Sequence, residues 1–119
     1  MGSRAKLSII EKFLKIDGVV AAGEFTPAGE CKGHMGKMAM ANAEEMAKYC
    51  ATVGKLIEMM GEMHKKTKTL DLVPYHGFVH CGGKFTLFAG KKYFAIADET
   101  ADWNEVSWAS LKGKFPEGV

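Results

Sequence analysis

Residues 38–66 constrain the fold more than any other stretch of this chain. They contain no proline, and their only glycines are Gly54 and Gly61. Met46, Cys50, Val53, Ile57, Met60 and His64 recur at alternating steps of four and three, which stacks them on one face of a helix. Tyr49, Leu56, Met59 and Met63 widen that stripe on one side. The resulting apolar arc spans roughly 200°, about twice what a helix needs to cover a single core face. Ala47, Ala51, Gly54 and Gly61 flank the arc with small side chains, and Glu44, Lys48, Lys55 and Glu62 hold the remaining strip. An arc this wide predicts two neighbours: the chain's own sheet on one side and a partner surface on the other.

The rest of the chain arranges itself around that helix. A first helix is expected from near Ser3 to Ile16, with Ser8 a poor cap inside it and Leu7, Ile10, Phe13 and Leu14 inward. Asp17-Gly18 ends it. Residues 19–25 read as a strand whose run VVAAG predicts burial on both faces. Thr26-Pro27-Ala28-Gly29 is a turn, and residues 30–34 form a weaker, charged strand suited to an exposed edge. Beyond the long helix, residues 72–81, 84–89 and 92–97 read as three strands. Their turns are Cys81-Gly82-Gly83-Lys84, where paired glycines tolerate positive φ, and Ala89-Gly90-Lys91-Lys92. A last helix over 102–111 takes its cap from Thr100 or Asp102 and turns Trp103, Val106 and Leu111 inward. The fold class is therefore α+β: a five-stranded antiparallel sheet in the order α-β-β-α-β-β-β-α, within one domain over 1–119. Residues 1–5 and 113–119 are expected to fray, and residues 1–3 are given no structural role.

Charge and cysteine content exclude several functions. Sixteen Lys and Arg against fourteen Asp and Glu leave a formal net charge of only +2, too little for electrostatic capture of nucleic acid. Cys31, Cys50 and Cys81 are odd in number and lack CxxC spacing, so neither a disulfide framework nor a zinc knuckle is indicated. That usage fits a reducing cytoplasm. No apolar run approaches a membrane span, and no signal-peptide core stands at the N-terminus.

The stretch KIDGVVAAGEFTPAGE follows the first helix with Asp17-Gly18, an apolar strand and a glycine-containing turn. GFVHCGGKFTLFAGKKYFAIADETADW carries the three-strand meander into the last helix. In these runs and in element order the chain resembles the roadblock / dynein light chain superfamily, above all its small prokaryotic stand-alone members. The resemblance implies a homodimer with the long helix and the strand after it at the seam. Those residues are Met46, Tyr49, Cys50, Val53, Ile57 and Met60 on the helix, and Tyr75, Gly77 and Val79 on the strand. It also implies a non-enzymatic adaptor, scaffold or regulator, with a small Ras-like GTPase as a partner class.

Candidate chemistry is sparse. His76 and His80 share one face of the expected strand, with Phe78 between them, and are the weak candidates for a metal. Cys81 points to the other face by strand parity, and zinc needs three or four convergent ligands, so no metal and no cofactor are expected. The same imidazoles at a dimer seam would repel their symmetry mates once protonated. Cys81 beside Gly82-Gly83 is a candidate reactive thiol, and an enzyme would pair it with His76 or His80. CGGK lacks the spacing of a phosphate loop. Lys65, Lys66, Lys68, Lys84, Lys91 and Lys92 offer a basic rim, with only Tyr75 and Phe85 to stack bases, which is thin for RNA. The alternative to an adaptor is a sensory small-molecule-binding domain lined by Trp103, Trp108 or Phe88.

Overall fold

A computed structural model describes residues 8–67 and 72–119. The elements follow the expected order: α1 Ile9–Leu14, β1 Val19–Phe25, β2 Cys31–Gly36, α2 Met40–Thr67, β3 Phe78–Cys81, β4 Phe85–Ala89, β5 Tyr93–Asp98 and α3 Trp103–Lys112. All strand pairs are antiparallel, and the sheet runs β2-β1-β5-β4-β3. The run VVAAG is an interior strand as its apolarity predicts, and the charged β2 is an edge.

Three layers result. Strand alternation sends Phe88, Ala95, Ala97 and Ala22 to one face, where Phe13, Ile16, Val106 and Ala109 close the core under α1 and α3. Phe25, Leu87, Ala89 and Phe94 go to the other face and meet Ala47, Cys50 and Ala51 of α2. A sheet apolar on both faces needs cover on both, and the helices supply it.

The first helix is shorter than its periodicity predicts. Ser8 is not inside it but caps it: its hydroxyl accepts from the Glu11 N–H at 3.2 Å, and its own N–H donates to the Glu11 carboxylate at 3.0 Å. The spacing Ser-x-x-Glu is a capping box, which outcompetes continuation of the helix. A start near Ser3, and the inward Leu7, lie outside the described residues.

The third strand is also shorter than expected. Residues 72–77 do not join the sheet; they lie along α2 as a strap. Gly54 and Gly61, seven apart on that helix, open the room: a Cβ at Gly54 would stand 3.0 Å from the Tyr75 hydroxyl oxygen, and one at Gly61 3.0 Å from the Leu72 carbonyl oxygen. At Gly77 the chain turns from strap to strand with φ 153°. The β3–β4 turn closes as expected, its Gly82 N–H donating to the Phe85 carbonyl at 2.8 Å, but neither Gly82 nor Gly83 adopts a positive φ.

Helix α3 starts at the Asp102 cap, whose carboxylate accepts from the Asn104 N–H at 2.8 Å. Val106 is buried as predicted, whereas Trp103 stands half-exposed with its ring edge against Phe88. The helix ends at Gly113 in the left-handed conformation. There the Gly113 N–H donates to the Ala109 carbonyl and the Lys114 N–H to the Trp108 carbonyl, a double closure that turns the chain back on itself. Residues 113–119, expected to fray, carry Phe115, whose ring meets Phe13 edge-on at 5.0 Å between centroids.

Candidate functional site

The long helix divides its side chains by size. Ala43, Ala47, Cys50, Ala51 and Gly54 are buried beneath it, so the backbone lies close to the sheet. The large apolar residues turn away: Leu56 is 56% exposed, Met59 62%, Met60 56% and Met63 65%. Met46, Val53 and Ile57 are half-buried between these faces. A monomer with three methionines and a leucine in one exposed row presents a surface fit for a partner.

The residues expected at a seam do not all reach that surface. Tyr49 and Met60 do, while Val53 and Ile57 are half-buried beside it and Met46 packs against the core under the helix. Cys50 faces the sheet and belongs to the core. Tyr75 lies in the strap against Gly54, and Gly77 packs beside the Ala89 carbonyl and Leu111. Val79 is exposed on β3, at the open edge of the sheet and opposite Phe88.

Strand β3 sets the chemistry nearby. Phe78 and His80 share its α2 side. The Tyr49 hydroxyl and the His80 Nδ1 share a hydrogen bond, and the two rings lie 5.7 Å apart. Tyr49 also meets Phe78 edge-on. His76 precedes the strand and lines the strap with His64, Leu72 and Pro74, so it does not share a strand face with His80. Among the described residues, no three His, Cys, Asp or Glu side chains converge as a metal group would require. The lysines are likewise dispersed. Lys84 lies at one end of β4 and Lys91 and Lys92 at the other, so these three cannot form one rim; Lys68 falls outside the described residues. Of the residues offered as a ligand lining, Phe88 is sealed in the core, while Trp103 and Trp108 are half-exposed on α3. No helix among the described residues is long and apolar enough to cross a membrane.

The three thiols differ in environment. Cys81 is exposed beside the hairpin turn and Cys31 is half-buried. Burial pushes the Cys50 thiol up to about 12, far from the thiolate form. A thiol reagent at neutral pH is therefore expected to modify Cys81 first and Cys31 more slowly. Cys50 should react only on unfolding, as peptide mass spectrometry would read. Native-state labelling of Cys50 would mean that α2 lifts from the sheet.

The Tyr75 hydroxyl had no simple sequence signal. It is buried and makes no hydrogen bond within the protein. Burial, followed by the proximity of Cys50 and Glu58, raises it to about 12. The spacing of Gly54 and Gly61 is the nearest clue, since it marks where a second chain segment approaches the helix.

Comparison with solved structures places this architecture. The Roadblock/LC7 domain from Streptomyces avermitilis superposes with a TM-score of 0.71 at 15% identity, covering 87% of this chain and 88% of that one. The gliding protein MglB from Thermus thermophilus gives 0.64 at 18% identity, covering 82% and 74%. MglB from Myxococcus xanthus gives 0.60 at 14%, covering 82% and 79%. The fold is thus the roadblock fold, as the element order implied. Among curated proteins no sequence matches. The pattern of the family described as "uncharacterized conserved protein (DUF2173)" matches residues 9–109, nearly the whole of the layered core. The chain belongs to the DUF2173 family, and it is built on the roadblock fold.

Proposed function

We propose that the chain is a non-enzymatic, homodimeric adaptor of the roadblock type that regulates a small Ras-like GTPase. The observation that carries the reading is the sorting of side chains on α2. Small residues face the sheet, and a row of large apolar ones from Leu56 to Met63 faces outward. Apolar surface of this kind gains free energy when a second copy covers it. The edge of β3, where Val79 is exposed, is open in the sheet order and suits strand pairing between copies. Two α2 helices side by side then form the platform on which the GTPase docks. The three unpaired cysteines accord with a cytoplasmic setting.

The test is Ile57→Glu. At a closed seam the new carboxylate would be buried without a partner, at a cost of several kcal/mol. Sedimentation should therefore show a dimer for the native chain and a monomer for the variant. A variant that sediments as the native dimer removes this face from the seam. Affinity capture of the native chain should co-purify a GTPase, and its absence would remove the partner while leaving the dimer.

A further inference from the structure

We propose that the groove between α3 and the returning tail is a second interaction surface, one that takes an arginine side chain from an extended segment of a partner protein. It lies on the face of the sheet opposite α2, so it goes beyond the dimer reading and does not depend on it.

The groove is built from Trp108, Phe115 and Pro116, with Glu105, Glu117, Asn104 and Lys114 around them. It is a shallow, open groove with a volume of about 510 Å³. Trp108 is 51% exposed although Val106 and Ala109, on the inward side of the same helix, are buried. Its surroundings are held in place at both ends. The Lys114 N–H is tied to the Trp108 carbonyl at 3.0 Å, and the Phe115 ring is seated on Phe13. A half-exposed indole in a groove with fixed walls is a recognition element more than a core side chain.

The chemistry of the occupant follows from what already sits there. The Lys114 ammonium lies 5.5 Å from the centre of the Trp108 ring, so the indole face already accepts a cation. The Lys12 ammonium lies 5.7 Å from the centre of the Phe115 ring, so a second ring of the groove also faces a cation. Once Lys114 swings away, the groove lining itself carries two carboxylates, Glu105 and Glu117, and no cation. An arginine fits this better than lysine. Its planar guanidinium stacks on an indole, is more weakly hydrated than an ammonium, and reaches carboxylates through a fork of donors. Lys114 is then an internal competitor that an incoming arginine displaces.

The experiment is a fluorescence titration of the full chain in a Trp103→Phe background, so that Trp108 is the only indole. The probe is an acetylated, amidated pentapeptide of alanine with one central arginine. The same peptide with citrulline, which keeps the shape and loses the charge, is the control. Saturable quenching by the arginine peptide, at least about fivefold weaker for citrulline, is expected. Glu105→Gln with Glu117→Gln should weaken binding, and Trp108→Leu should abolish it as read by calorimetry. Lys114→Gln should tighten binding about threefold, whereas Lys112→Gln, which removes the same charge away from the indole, should not. Equal binding of the two peptides overturns the proposal, as does equal strengthening by both lysine variants or the absence of saturable binding. If Trp108→Leu fails to fold, the lysine pair and the citrulline control still decide.

Discussion

Gly77→Ala is expected to destabilise the protein by about 3 kcal/mol or more, as read by denaturant unfolding. Two effects add. The backbone at Gly77 has φ 153°, a conformation that L-residues rarely adopt. A Cβ there would also overlap the Ala89 carbonyl oxygen and a methyl of Leu111. The carbonyl belongs to β4, paired on both sides in the sheet, and cannot move without breaking strand pairs. Relief must come from displacing the strap, which would release Tyr75 from Gly54. A loss below about 1 kcal/mol would show that the strap shifts freely and is not locked by this residue.

Phe88→Ala should cost about 3–5 kcal/mol, the usual range for truncating a fully buried aromatic. Phe88 has no exposed surface and stands where β4 meets Val106 and Ala109 of α3. Both α1 and α3 pack against the same cluster, so the cavity would be felt by both. Trp103→Ala is the internal comparison. Its ring touches Phe88 at 5.7 Å between centroids but is half-exposed, so its loss should cost about 1 kcal/mol. Equal losses at the two positions would mean that Trp103 seals the core rather than lying over it.

The sheet and its helices are readable because burial on two faces leaves a plain mark. VVAAG reads as an interior strand, and the short apolar runs of β4 and β5 are marked off by the glycine turns on either side of β4. Ser8 looks internal to a helix only when periodicity is given more weight than the Ser-x-x-Glu spacing, which is local and stronger at that point. The strap escapes a sequence reading for a different reason. Leu72 and Tyr75 carry strand-like character, yet what they pack on is a helix groove set by Gly54 and Gly61, far away in sequence. The same distance hides the role of Phe115. A tail of Gly, Pro and Lys reads as loose, and only its meeting with Phe13 in space holds it. Cys50 sits in the middle of the apolar arc, but a wide arc does not reveal which part meets the sheet. Size decides: the small residues are the ones that let the helix approach.

That allocation on α2 has an evolutionary corollary. Mutations at Met59, Met60 or Met63 leave the contacts beneath the helix intact, so the outer row is free to drift toward new companions while the architecture persists. Mutations at Ala43 or Ala47 meet the opposite fate, because both are fully buried and a larger side chain there pries the layers apart. Lineages carrying this domain should therefore diverge first in whom they meet and last in how they are shaped.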